Sequence, residues 1–146
     1  PSYKKPFAKK EHISLEEAMT DTHVFIGLAA PNARPEQYIQ HMYSSPIIFA
    51  LSNPDPEISW AAVKQHRPDA IYATGRSDLP NQINNVLAFP FILKAALKHQ
   101  VSQITPQMIA NCATSLAALV ENPSPTNIIP KAFDKRLAKA FEDAIL

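Results

Sequence analysis

Residues 70–90 read AIYATGRSDLPNQINNVLAFP. The run Ala70 to Thr74 is short, β-branched and aromatic, which reads as a strand. Gly75 ends it. The polar segment Arg76-Ser77-Asp78-Leu79-Pro80-Asn81-Gln82 follows, and apolar sequence resumes at Ile83. Asn81, Gln82, Asn84 and Asn85 crowd together here. Each carboxamide brings donors and an acceptor without charge. A strand end that delivers them to a following helix suits a small polar ligand. The plainer alternative is that Asn84 or Asn85 caps that helix while the others are solvated. Both readings stand at this point.

Upstream of this stretch two further apolar runs have the same character. His23 to Ala30 is nearly all apolar from Val24, and Ile47 to Ser52 is continuous as well. Continuous rather than alternating apolar sequence predicts strands covered on both faces, as in a parallel sheet. The three runs start at 24, 47 and 70, an even spacing with one helical segment in each interval. The first segment is Pro35 to Met42 or Tyr43, with proline in the first helical position. The second is Trp60 to about Gln65, with Ser59 as cap. Before them, Ser14-Leu15-Glu16-Glu17 is a capping box for a helix from Leu15 to Met19 or Thr20. The pattern is βαβαβ with right-handed crossovers. It predicts an α/β fold: a three-stranded parallel sheet, one half of a doubly wound Rossmann-like domain, with a C-terminal helical tail.

The tail is read from Asn84 onward. A helix from Asn84 to about Gln100 should break or kink near Pro90, which has no N–H to bond back to Val86. Thr105-Pro106 starts the next helix, with Met108, Ile109, Cys112, Ala113, Leu116 and Val120 as its apolar stripe. Pro123, Pro125 and Pro130 mark a turn-rich crossing. Asp134 can cap a last helix with Leu137, Phe141, Ala144 and Ile145 inward. These helices are expected to cover the sheet. No linker or low-complexity segment interrupts the chain, so 1–146 is treated as one unit: an extended, lysine-rich arm (1–12), the α-βαβαβ half (13–83) and the helical part (84–146).

The chain has 146 residues, is 46% hydrophobic and 18% charged, and carries a net charge of +1. That is the composition of a globular domain able to bury a core, and it gives no reason to expect nucleic acid or a membrane surface as partner. No apolar run approaches the ~18 residues of a membrane span. The one cysteine, Cys112, forms no internal disulfide and fits a reducing, cytoplasmic setting; on its apolar stripe it reads as a small core residue. The chain begins with Pro1 rather than Met, which suggests an engineered boundary, a fragment or a proteolysed product.

Ligands of open parallel sheets bind beyond the carboxyl ends of the strands. Those ends are Ala29-Ala30-Pro31-Asn32, Ser52-Asn53-Pro54 and Thr74-Gly75-Arg76-Ser77. They share one rim, so topology brings Asn53 towards Asn84 or Asn85. No G-x-G-x-x-G exists in a chain with only two glycines, Gly27 and Gly75, so the phosphate-cradling turn is absent. No Asp, Glu, His or Cys group has metal-ligand spacing. Asp55 and Glu57 flank Pro56 and read as loop solvation. Arg76 could clamp a carboxylate bidentately, but pairing with Asp78 is the simpler reading.

The segment ATGRSDLPNQINNVLAFP, with IIFALSNPDPEIS at 47–59 and HVFIGLAAP at 23–31, resembles the C-terminal part of the nucleotide-binding domain of malic enzymes, bacterial type. The resemblance runs from about Leu15 to Leu137. It departs from the family pattern at Phe91, where Gly is usual, and at Lys94-Ala95, where Arg-Gly is usual. It implies oxidative decarboxylation of malate to pyruvate and CO2 with NAD or NADP and Mg2+ or Mn2+. It implies malate contacts at Asn53 and Asn84, with Asn85 a less certain neighbour, and cofactor contacts at Ala29, Ala30, Pro31, Ser52 and Asn53. The acid, base and metal ligands of the family lie in segments N-terminal to this match and are not found here. The chain alone is therefore expected to be inactive, and its partners to be malate, the N-terminal part of the enzyme and further copies in a homo-oligomer. Two alternatives remain: a non-catalytic Rossmann half used for oligomer assembly, and an amino-acid dehydrogenase, against which GRSDLPNQINN argues. The residue that chooses NAD or NADP follows a strand of the other half.

Overall fold

The computed structural model describes residues 5–6, 8, 11–28 and 35–145. Most of the arm 1–12 and the turn 29–34 lie outside the described residues. Three parallel strands, β1 (Val24–Gly27), β2 (Ile47–Ala50) and β3 (Ile71–Thr74), lie in the order β1-β2-β3. Val24 pairs with Ile47 and Ile47 with Ile71, and the register holds through Gly27, Ala50 and Thr74. The even spacing of the apolar runs thus becomes a flush sheet whose carboxyl ends are level. The strands are shorter than their apolar runs, because Ser52 is already committed to a turn: its hydroxyl donates to the Asp55 carbonyl at 2.6 Å.

Helix α1 (Leu15–Met19) opens on the expected capping box, with the Glu17 N–H donating to Ser14 Oγ at 3.1 Å and the Ser14 N–H to Glu17 at 2.7 Å. Helix α2 (Trp60–His66) is capped by Ser59. The segment Pro35–His41 differs from expectation: it is a 3₁₀ helix. Its carboxyl end is occupied by the buried Arg67 guanidinium, which donates to the carbonyls of Ile39, Met42 and Tyr43. Those bonds satisfy carbonyls at the end of the segment. Met19, Ile39, Met42, Ile48, Ala50, Ile58, Val63, Ala70 and Tyr72 form the core on this side of the sheet.

The other side is where sequence reasoning went astray. Asn84 caps a short 3₁₀ turn, Asn85–Leu87, and the chain breaks at Ala88 before α3 (Phe89–Lys98). Pro90 therefore sits in the first turn of α3, where its missing N–H costs nothing, and does not kink a longer helix. Helix α4 (Pro106–Ala118) starts on Thr105 as cap. Cys112 is buried in it, but Ile109, placed on the inner stripe by periodicity, is 47% exposed. Helix α5 (Leu137–Ile145) buries the expected face, Leu137, Phe141, Ala144 and Ile145. Asp134 accepts the Arg136 N–H at the entry to α5. These helices do not form a layer over the sheet. They pack on one another around Leu87, Ala95, Cys112, Leu137 and Phe141, as a cluster separate from the sheet core. Phe91 earns its place there by stacking on Phe141 at 6.0 Å, so a side chain fills the space at this family glycine position. One face of β1 stays open, with Val24 48% and Ile26 57% exposed, contrary to the expectation of cover on both faces.

Candidate functional site at the carboxyl ends of the strands

The rim is built around the two glycines. Neither takes a left-handed φ; that conformation falls to Asp21, Ser45, Asn81 and Gln100. The glycines serve close approach instead. A Cβ on Gly27, at the end of β1, would lie 2.5 Å from Glu57 Cδ, a collision. A Cβ on Gly75, just past β3, would lie 3.2 Å from Asn53 Oδ1 and 3.7 Å from the Ile83 carbonyl. Glu57 and Asn53 both belong to the turn that follows β2. That turn reaches over one neighbour with a carboxylate and over the other with a carboxamide.

Glu57 is the residue the sequence misassigned. It is 3% exposed, not solvated, and accepts the Ser52 N–H at 3.1 Å. The signal was present in Gly27, a glycine inside an apolar run, which marks a place where something must come close. Asp55 is exposed, as expected of a loop carboxylate. The next residue, Ile58, is fully buried and its carbonyl accepts the Tyr72 hydroxyl at 2.8 Å. Burial pushes the Tyr72 hydroxyl up to about 12, so it stays protonated as that donor.

The amides of 81–85 divide into different tasks. Asn81 is buried and structural: its NH2 donates to the Tyr72 and Pro125 carbonyls, and its oxygen accepts the Ile128 N–H. It ties β3 to the crossing 125–128. Gln82 forms a bridge beside Thr74, the Ile83 N–H donates to the Thr74 carbonyl at 2.8 Å, and the Gln82 amide reaches the Gly75 carbonyl at 3.3 Å. The chain is thereby drawn back alongside the end of β3, next to Asn53. Asn84 follows at once. Its Oδ1 accepts the Val86 N–H at 3.0 Å, which fixes the amide orientation and leaves the NH2 end as donor. Capping and ligand binding, posed as alternatives from sequence, are compatible in this geometry. Asn85 lines an apolar hollow with Ala88, Phe89 and Ile92. Ser52 has its hydroxyl and N–H engaged within the turn. Ala29, Ala30 and Pro31 lie outside the described residues.

Arg76 pairs with Asp78, Nε to Oδ1 at 2.9 Å and a second nitrogen to Oδ2 at 2.8 Å. The hydrogen bond from Arg76 holds the Asp78 carboxyl below its ordinary value. The pair occupies one edge of the guanidinium and braces the loop. Cys112 is buried, and burial raises its thiol, so it behaves as core. Among the described residues no group of three or more His, Cys, Asp or Glu gathers that could hold a metal.

A flush parallel sheet with neutral donors gathered at its carboxyl rim defines one half of a nucleotide-binding α/β domain. Residues 2–137 match the family described as malic enzyme, NAD binding domain, and the chain belongs to that family. It is 39% identical over 145 residues to the NADP-dependent malic enzyme of Halomonas elongata, covering 99% of this chain and 34% of that protein. The crystal structure of a malic enzyme from Pyrococcus horikoshii superposes with a TM-score of 0.84 at 38% identity, over 90% of this chain and 31% of the other. That of an NAD-dependent malic enzyme from Thermotoga maritima gives 0.81 at 40% identity, over 90% and 34%. The chain thus spans about a third of the length of these relatives.

Proposed function

We propose that this chain works as the distal half of the cofactor domain of a malic enzyme, which oxidises malate and decarboxylates the product to pyruvate. The observation that carries the reading is Asn84: its oxygen is fixed as a helix cap, so its NH2 is presented as a donor, beside the strand end that Asn53 overlies. Two uncharged amides at one rim can hold a malate carboxylate and the C2 oxygen without adding charge. Donors fixed where negative charge grows as CO2 leaves stabilise the enolate. Asn85, beside its own hollow, contributes less directly.

The rim fits a nicotinamide nucleotide in its chemistry: neutral amides and a hydroxyl stand at the strand carboxyl ends. Ala29, Ala30, Pro31, Ser52 and Asn53 would hold it. A bound nicotinamide would supply the hydride acceptor for C2 of malate, and these residues would orient it. Whether it is NAD or NADP is decided outside this half. In this reading Mg2+ or Mn2+ would be held by other segments, and no step here runs through it. The setting is cytoplasmic and the assembly a homo-oligomer. Among the described residues no helix is long and apolar enough to cross a membrane.

The exposed Val24 and Ile26 face also supports the second reading, a non-catalytic assembly module. Kinetics separate the two. Asn53→Ala in the full-length enzyme should raise KM for malate by roughly 10-fold or more, the worth of one hydrogen bond to a charged ligand. An unchanged KM favours the assembly reading. The isolated 146 residues should show no malate oxidation with either nicotinamide cofactor and either metal; turnover by pure material overturns that part of the proposal.

A further inference from the structure

We infer that Glu57 is a positioning residue for the rim: its buried carboxylate, locked against Gly27, sets the turn that aims Asn53 at the substrate. The inference rests on the malate-binding reading of Asn53 and adds the device that places it. Residues 52–58 are held at three points, one bond within the turn and one contact with each of the flanking strands. The Ser52 N–H, just past β2, donates to Glu57 Oε2 at 3.1 Å. Glu57 Cδ occupies the space a Cβ on Gly27 of β1 would need, at 2.5 Å. Ile58 is tied to β3 through the Tyr72 hydroxyl at 2.8 Å. Between these anchors the Ser52 hydroxyl closes on the Asp55 carbonyl at 2.6 Å, and the Asn53 carboxamide lies over Gly75. A buried carboxylate is costly to desolvate and a poor choice for stability alone. Its reach explains its presence: from the β2 turn it extends to the neighbouring strand β1, a foothold that opposes rocking of the turn about the β2 axis. Asn53, on the same turn, inherits that fixed orientation. Asn53 is exposed and has no anchor of this depth of its own.

The lock predicts coupling that ordinary structural damage does not produce. In the full-length enzyme, Glu57→Asp keeps the charge but withdraws the carboxylate by one methylene. It should raise KM for malate about tenfold, one hydrogen bond's worth, with kcat unchanged. In an Asn53→Ala background the same substitution should leave KM within about twofold, because the group it positions is gone. Gly27→Ala should lower the melting temperature and raise KM for malate, and Glu57→Asp should partly restore the melting temperature by vacating the contested space. Multiplicative effects of Glu57→Asp and Asn53→Ala on KM overturn the positioning role, as does a normal KM in Glu57→Asp. Failure of Glu57→Asp to restore any melting temperature to Gly27→Ala overturns the lock. An unchanged KM in Asn53→Ala overturns the substrate reading itself, and the positioning role with it, whatever the melting data show.

Discussion

The sheet half and the helical half of this chain are stabilised by different means. Around the sheet, buried polar groups with fixed partners do the holding: Arg67 on three carbonyls and Asp69, Glu57 on Ser52, Asn81 on Tyr72 and Pro125. Among the helices, the interior is apolar, around Leu137, Phe141 and Cys112. Ion pairs there stay outside, such as Arg136 with Glu121 at 3.0 Å and Lys139 with Asp143. Apolar contacts tolerate small shifts. Hydrogen-bonded buried groups do not, because a displaced partner leaves a full desolvation cost behind. The half that carries the strand ends is the half pinned by directional bonds, and the helical half that opens at Asn84 is packed by shape.

The comparison is broken most forcefully at Arg67. Removing a buried guanidinium that serves three carbonyls should cost ~3–5 kcal/mol, read as a lowered urea midpoint for Arg67→Ala. Arg67→Lys should recover only part of this, since an ammonium lacks the planar fork. The same cluster gives the sheet half a pH signature. Hydrogen bonding to Arg67 holds the Asp69 carboxyl far below its usual value. Its contribution is therefore present above the ordinary carboxylate range and lost as the pH falls below about 4. The acid limb of the stability profile should flatten in Arg67→Ala; an unchanged limb means that another carboxylate sets it.

Smaller effects sharpen the contrast from the helical side. Leu137→Met conserves volume in an apolar cluster and should cost less than about 1.5 kcal/mol in the same unfolding measurement. A loss as large as that of Arg67→Ala would erase the distinction between the halves. Smallest of all is Lys139→Ala. Its partner Asp143 lies one helical turn away on an exposed surface, and such pairs contribute little in water. The melting temperature should not move, and the value should be insensitive to added salt.

The three strands, their parallel order and the Ser14, Ser59, Asn84 and Thr105 caps were legible in the sequence because they are local. Apolar runs, a proline at a helix start and a hydroxyl before a helix declare themselves within a few residues. What was illegible is long-range. Arg67 reaches carbonyls more than twenty positions away, and nothing in its neighbourhood foretells this. Glu57 looked solvated because its charge suggests water, while the position that buries it is a glycine on another strand. The helices were assigned to the sheet because amphipathic periodicity shows that a face is buried, not against what. That the three strand ends share one rim was readable from topology, since parallel strands put their carboxyl ends together. The division of the amides was not: Asn81 became a buried clamp, Asn84 a cap with a free donor end, Asn85 the lining of another hollow.

The central claim is that Asn84 holds malate with the end of its amide that the cap leaves free, and Asn84→Asp in the full-length enzyme tests it most directly. The aspartate keeps the capping oxygen, so the melting temperature should match the parent. It replaces the donor by a negative charge facing the malate carboxylates, so KM should rise by roughly 10- to 150-fold, the range of a lost charged hydrogen bond of ~1.5–3 kcal/mol. If that bond also holds the enolate, kcat falls with it. Normal melting with normal malate kinetics would contradict the account: Asn84 would then be a helix cap alone.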